Sequence, residues 1–311
     1  MAKSSGLNTR RALARATAAA LTAALVATGA STAVAADGPT PTATRPHVEV
    51  KPTDSSKFGS TALPGDAQIN PVFGVDGQGD LWGYLPDFEG GLDSRFHSGS
   101  YWETIRAVTQ VDHDSDGESN GLWQVTADGQ LYYGDWGVDT EHIFVGNGWK
   151  IYNQLFSPAN VGGAAADDLL ARDSSGVLWL YLGYGNGKLT QRYKVGSGWN
   201  AYTHITGKGD LTGDGKDDIV AKDKSGVLWL YKGTGNYKAP FSSRARVGGG
   251  WNTYNNIVSV GDIDIDGITD LIARNKSGAL YLYKGTGNGS KPLSSPVKIG
   301  AGGWNTYRLL F

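Results

Sequence analysis

GDIDIDGITDLIARNKSGALYLYKG, residues Gly261 to Gly285, is the stretch on which the fold turns. An Asp-rich loop leads into an apolar run, a Ser-Gly turn and a second apolar run. Near-copies precede it: GDLTGDGKDDIVAKDKSGVLWLYKG from Gly209 to Gly233, and the looser VDHDSDGESNGLWQVTADGQLYYG from Val111 to Gly134. Two further copies keep the paired runs without the acidic loop, DLLARDSSGVLWLYLG from Asp168 and NPVFGVDGQGDLWGY from Asn70. Self-similarity at a fixed period marks a repeat architecture, in which each unit is one supersecondary element.

A second marker sets the period. Trp102, Trp149, Trp199, Trp251 and Trp304 each end a Gly-rich turn, at spacings of 47, 50, 52 and 53 residues. Between markers, aromatics recur two apart: Trp82 and Tyr84, Trp179 and Tyr181, Trp229 and Tyr231, Tyr281 and Tyr283. Alternation at period two puts each pair on one face of a strand. Asp128-Gly129, Ser175-Gly176, Ser225-Gly226 and Ser277-Gly278 are hairpin dipeptides between apolar runs. A unit of about 50 residues then holds four short strands, the size of a propeller blade. The first hairpin has no Gly-Trp segment before it, and the last Gly-Trp segment, GGWNTYRLLF, has no hairpin after it. These halves complete one blade if the ring closes, which removes an open sheet edge. The expected fold is all-β: a five-bladed β-propeller closed by pairing of the C-terminal strand with the first blade.

The loop-hairpin unit GDLTGDGKDDIVAKDKSGVLWLYKG resembles the FG-GAP (or VCBS) repeats of secreted bacterial proteins and integrin-type propellers. The segments VGGGWNTYNNI and IGAGGWNTYRLLF resemble those of tachylectin-2-type lectins, which are five-bladed propellers. Together the resemblances cover residues 70 to 311. The lectin resemblance implies sites for N-acetylated sugars between blades. It nominates Trp199 with Asn200, Trp251 with Asn252, and Trp304 with Asn305. A Trp repeated in every blade has another use, as packing between neighbouring sheets. Trp102 and Trp149 are followed by Glu103 and Lys150, so the first two blades depart from that pattern.

Asp262, Asp264, Asp266 and Asp270 stand at positions 1, 3, 5 and 9 of a tight loop, with Gly267 at position 6 for the sharp turn. Asp210, Thr212, Asp214 and Asp218 repeat the frame around Gly215, and Asp112, Asp114, Asp116 and Asn120 repeat it around Gly117. Oxygen donors on alternate residues of a curling backbone suit a hard cation, calcium above all. The EF-hand frame does not fit, because its position-12 Glu is replaced by Trp123, Ala221 and Ala273. About three structural calcium ions are expected. Asn160, Gly162, Ala164 and Asp168 in the third hairpin lack the inner ligands. In the first repeat only Asp66 and Asn70 are in frame, so neither loop is expected to bind.

Lys3, Arg10, Arg11 and Arg15 precede an Ala-rich apolar run, and Ala33-Val34-Ala35 offers a signal-peptidase site. Residues 1–36 are therefore expected to be a secretory signal peptide, by the general or the twin-arginine route, and the mature protein extracellular. Residues 37–65, rich in Pro, Thr and Ser, are expected to be a flexible tether, with one short strand at His47 to Val50. The propeller occupies residues 66–311. Without the four leader cations, 24 Lys and Arg face 30 Asp and Glu, a net charge of −6. That balance argues against nucleic acid and against docking on anionic lipid. There is no cysteine, so thiol catalysis and thiolate metal sites are excluded. Glycine is abundant, at 46 residues of 311, and aromatics make up 11%, in keeping with turns and strands.

None of the five histidines, His47, His97, His113, His142 and His204, recurs at the repeat period, and no G-x-S-x-G or H-E-x-x-H occurs. Some five-bladed propellers are glycosidases that use channel carboxylates. Glu103, Asp135 and Glu141 are the clustered acids left over for such a role. A ring of similar blades presents similar grooves several times, which favours avidity. The expected function is a monomeric, calcium-stabilised, non-catalytic binding module for extracellular carbohydrate. The alternatives are a scaffold for a secreted enzyme or protease and, third, a glycoside hydrolase.

Overall fold

The computed structural model describes residues 67–87, 89–135, 142–163 and 166–311. The leader, the tether with its expected strand at His47 to Val50, and Asp66, Glu141 and Ala164 lie outside the described residues. Among the described residues, twenty strands form five four-stranded antiparallel sheets. Blade 1 orders β20 (Tyr307–Leu310), β1 (Val72–Asp76), β2 (Leu81–Tyr84) and β3 (Phe96–Gly99). Blade 2 runs from β4 (Ile105–Val111) through β5 (Gly121–Thr126) and β6 (Leu131–Asp135) to β7 (Ile143–Gly146). Blade 3 comprises β8 (Tyr152–Phe156), β9 (Leu169–Asp173), β10 (Leu178–Tyr181) and β11 (Tyr193–Gly196). Blade 4 comprises β12 (Tyr202–Thr206), β13 (Ile219–Asp223), β14 (Leu228–Tyr231) and β15 (Ala245–Gly248). Blade 5 comprises β16 (Tyr254–Gly261), β17 (Asp270–Asn275), β18 (Leu280–Tyr283) and β19 (Val297–Gly300).

The ring closes as the two half-repeats require: β20 pairs antiparallel with β1, Gly74 opposite Leu310. The aromatic alternation also holds. In β10, β14 and β18 the leucines are buried, and the aromatics between and after them are half-buried.

Each Gly-Trp segment carries the chain from one blade's outer strand to the next blade's inner strand. In blades 2 to 5 it forms a short 3-10 turn whose Trp is buried, at 7%, 6%, 5% and 8% exposure in order. The residue before that Trp must be left-handed. Gly148, Gly198, Gly250 and Gly303 take φ of 85 to 88°, which glycine adopts without a Cβ penalty. Tyr101 holds the same place in blade 1 at φ 70°, with its side chain 59% exposed.

These tryptophans pack forward onto the next blade. Trp199 meets Tyr231 at 4.8 Å between ring centres, Trp251 meets Tyr283 at 4.6 Å, and Trp304 meets Tyr84 at 4.3 Å. Each of those tyrosines shares a hydroxyl hydrogen bond with the inner-strand Tyr of its blade, Tyr202, Tyr254 or Tyr307. A cation then clamps every junction by donating to carbonyls at the entry to the next blade. Arg308 reaches Trp102 and Ile105, Arg106 reaches Tyr152, and Arg172 reaches Trp199 and Tyr202. Lys222 reaches Tyr254, and Arg274 reaches Trp304 and Tyr307. Aromatic burial supplies the junction energy, and the clamps add charged donors to carbonyls at the turn.

Candidate functional site

The Asp-rich loops join each blade's inner strand to its second strand. Position 1 organises the loop. Asp112 accepts hydrogen bonds from the amides of Ser115 and Gly117, Asp210 from Thr212, Gly213 and Gly215, and Asp262 from Ile265, Asp266 and Gly267. Position 9 ties the loop to the hairpin end. Asp218 accepts from Leu211 and Gly233, and Asp270 from Ile263 and Gly285. Asp168 makes the same two bonds, from Gly162 and Gly183, in a loop without inner ligands. The position-9 carboxylate is therefore a structural clamp whether or not its loop takes an ion.

Two of the three expected loops gather three carboxylates. Oxygens of Asp112, Asp114 and Asp116 lie within 4.8 Å of one another, as do those of Asp262, Asp264 and Asp270. Among the described residues, Asp210, Asp214 and Asp218 do not form such a group, and Thr212 supplies only a hydroxyl. Asn120 turns its amide onto Asp114 and accepts from the His113 amide. Asp266 accepts the Ile268 amide at the loop's half-open edge.

Burial of this much negative charge in one turn shows in the acidities. Burial, together with the Asp167 charge, raises Asp112 to about 7. Burial against neighbouring carboxylates raises Asp218 and Asp262 to about 7 and Asp270 to about 8. One oxygen, Asp264 Oδ1, is buried without a hydrogen-bond partner. Preorganised position-1 carboxylates, an unpartnered buried oxygen and an all-oxygen donor set fit a hard divalent cation.

One repeat position grades the loops. Four residues after the Leu that opens the second hairpin strand stand Leu85, Asp135, Leu182, Lys232 and Lys284, in blade order. Leucine occupies it where the inner ligands are missing, and Leu182 packs against Gly162 in the space the loop encloses. In blade 5, Lys284 Nζ bonds Asp264 Oδ2 at 2.6 Å. In blade 4, Lys232 Nζ lies beside Gly289 near Thr212. Blade 2 has a carboxylate there, and Asp135 adds its charge to that of Asp114 around His113 and Tyr133.

The sugar candidates divide. Trp199, Trp251 and Trp304 are the buried junction residues, whereas Asn200, Asn252 and Asn305 are exposed. Asn200 and Asn305 donate to the carbonyls of Ser174 and Lys276 in the hairpin turns they cover. Asn252 packs on Gly226, the equivalent turn of blade 4.

The channel along the ring axis is a cavity of about 160 Å³ walled by the five inner strands and the residues that follow them. Its polar lining is Thr109, Gln110, Gln154, Ser157, His204, Thr206, Lys208, Asn256 and Ser259, with no carboxylate among the described residues. Lys208 is buried and paired with Asp167 at 2.5 Å, and also donates to Gln110 O at 3.0 Å. Glu103 and Asp135 are not part of this wall. A Ser-His-Asp cluster does occur elsewhere. Ser100 Oγ and His97 Nε2 both meet Asp80 Oδ1, at 2.6 and 3.2 Å. The imidazole uses one nitrogen for both neighbours, and the hydroxyl donates to the carboxylate, so the group is not a proton relay.

With this geometry in place, known proteins supply a comparison. An FG-GAP-like repeat model matches residues 210–273. Those residues are the fourth blade's loop and hairpin, its passage to blade 5, and the fifth loop. No curated protein matches the chain. Among solved structures, BP39L lectin from Burkholderia pseudomallei is similar over 74% of this chain and 69% of its own, at 12% identity and TM-score 0.48. AofleA from Arthrobotrys oligospora is similar over 76% and 73%, at 8% identity and TM-score 0.44. Prp20p from Saccharomyces cerevisiae is similar over 75% and 62%, at 8% identity and TM-score 0.36.

Proposed function

We propose that this chain is a secreted, non-catalytic binding propeller, stabilised by calcium, whose ligand is extracellular carbohydrate. The observation that carries the reading is a solvent-open surface repeated in three consecutive blades. In each, an exposed Asn lies over the preceding hairpin turn beside a buried Trp: Asn200, Asn252 and Asn305. Repeated weak sites on one rigid body gain by multivalency. The basic, Ala-rich leader ending in Ala33-Val34-Ala35 supports export. Calcium would be held by Asp112, Asp114 and Asp116 in blade 2 and by Asp262, Asp264 and Asp270 in blade 5. Blade 4 offers the poorer set of Asp210, Thr212, Asp214 and Asp218. The ion neutralises carboxylates that otherwise repel, and it has no catalytic part here. Among the described residues the channel wall offers no carboxylate pair of the kind a glycosidase uses, in keeping with the binding reading.

The test is a glycan array in calcium, with free-sugar competition. Signal on N-acetylated sugars, competed by the free sugar and lost in N200A/N252A/N305A, is the expected result. A partner captured from culture medium that no sugar displaces would replace carbohydrate with a protein ligand. Trp251→Ala is not an equivalent probe, because emptying a buried aromatic site costs about 3–5 kcal/mol and would melt the junction.

A further inference from the structure

Three blades carry a surface device that neither the metal loops nor the Asn turns use. In blade 1 the Trp82 indole N–H bonds Asp76 at 2.9 Å, and the Arg95 guanidinium lies 4.1 Å from the Trp82 ring centre. In blade 3 the Trp179 N–H bonds Asp173 at 2.8 Å, with Arg192 at 4.0 Å from the ring. In blade 4 the Trp229 N–H bonds Asp223 at 2.8 Å, with Arg244 at 4.0 Å. Each Arg is pinned a second time, by donating one N–H to the inner-strand hydroxyl of Tyr307, Tyr152 or Tyr202. Blades 2 and 5 lack the set. They have Thr126, Tyr132 and His142, and Asn275, Tyr281 and Pro296, at the same places.

Each guanidinium is exposed, and among the described residues it forms no ion pair. Stacking and hydrogen bonding to tyrosine fix its plane at an exposed position. A guanidinium held flat matches a carboxylate through two parallel hydrogen bonds, and prior ordering lowers the entropy cost of using it. A second basic side chain sits cross-strand from each Trp: His97, Lys194 and Arg246. Around blades 4 and 5 the chain keeps acids away, whereas in blade 1 Asp80, Asp87 and Asp93 precede Arg95. No Asp or Glu occurs from Lys224 to Gly261 or from Leu271 to Phe311. The outer strands of blades 3, 4 and 5 carry Lys194, Arg246 and Lys298 on a protein of net negative charge.

We infer that Arg95, Arg192 and Arg244 form carboxylate-binding forks on the outer strands of blades 1, 3 and 4, and that the carbohydrate bound is one bearing uronic-acid carboxylates. This rests on the carbohydrate reading above and adds the ligand's charge and the side chains that read it.

The probes are a short galacturonic-acid oligomer and its methyl ester, which has the same sugars without charge. Wild type in calcium should bind the acid at least about tenfold more tightly than the ester, and added salt should weaken it. R95Q/R192Q/R244Q should lose about tenfold or more while keeping the wild-type melting midpoint. Should that variant misfold, Y281W/P296R provides the independent arm, since it builds the missing fork into blade 5 and should tighten acid binding. Equal binding of acid and ester, no binding of the acid by folded wild type, or an unchanged folded triple variant overturns the proposal. If neutral N-acetylated oligomers bind while the acid does not, only the forks fall. If neither binds, the carbohydrate reading falls with them.

Discussion

The acidic loops of blades 2 and 5 share a frame and differ in how their charge is balanced. Blade 5 sets Asp262, Asp264 and Asp270 together and leans Lys284 onto Asp264. Blade 2 sets Asp112, Asp114 and Asp116 together with Asp135 where the Lys would be. A resident ammonium lowers the repulsion of an empty loop but must be displaced or tolerated when a divalent ion binds. Among the described residues no ammonium is bonded to the blade 2 carboxylates, so that loop should depend more on calcium and hold it more tightly.

Removing the position-1 carboxylate tests that dependence with the largest effect. Asp112→Ala strands the Ser115 and Gly117 amides, at a cost of about 2 kcal/mol in chelator. In calcium the bound ion is lost as well, and the cost should roughly double, lowering the melting midpoint by about 8–16 °C. Asp264→Ala in blade 5 should show a smaller gap between the two conditions. Equal losses in calcium and chelator for both variants would mean that the loops hold themselves without metal.

Exchanging the charge at the graded position is the next test, read by calcium titration of each variant. Lys284→Gln should tighten the blade 5 site by about tenfold, and Asp135→Lys should weaken blade 2 by a similar factor. Unchanged affinities would show that Lys284 and Asp135 do not act on the ion.

The smallest effect is a pH dependence. Without metal, Asp112 and Asp262 at about 7 and Asp270 at about 8 bind protons more tightly folded than unfolded. Their contribution to stability is complete below the unfolded carboxyl pKa of about 4 and is lost as pH rises through 7 to 8. The chelated protein should therefore melt a few degrees lower at pH 8 than at pH 5.5, and calcium should stabilise more at the higher pH. His204 opposes this trend. Burial lowers it to about 4, so its contribution is lost as pH falls from about 6.5 toward 4. His204→Gln should steepen the carboxylate slope.

The five blades and their closure were legible because the Gly-Trp marker and the hairpin recur in register, and because their counts mismatch at the two ends. The acidic loops were legible because such a loop is local, with its candidate oxygen donors within nine residues. The junction clamps were not. Arg308 and Arg106 act from inner strands, whereas Arg172, Lys222 and Arg274 act from second strands, so one task is spread over two repeat positions. The Asp-Trp-Arg sets were hidden for a related reason. Asp and Trp stand six residues apart but the Arg follows 13 to 15 residues later, and only strand pairing brings Asp173, Trp179 and Arg192 together. Thr212 marks the limit of pattern matching: the fourth loop fits the frame in letters yet gathers fewer carboxylates than its neighbours.

The most direct test of the account is a melting curve of the purified chain in chelator, in calcium, and in calcium with N-acetylated sugar. A ligand at a hundred times its Kd adds about 2.7 kcal/mol to the folded state, or about 5–10 °C for a domain of this size. The account predicts two successive rises, the first from calcium and the second from sugar. A midpoint that does not move with calcium, or that moves with calcium but with no sugar at saturating concentration, contradicts it.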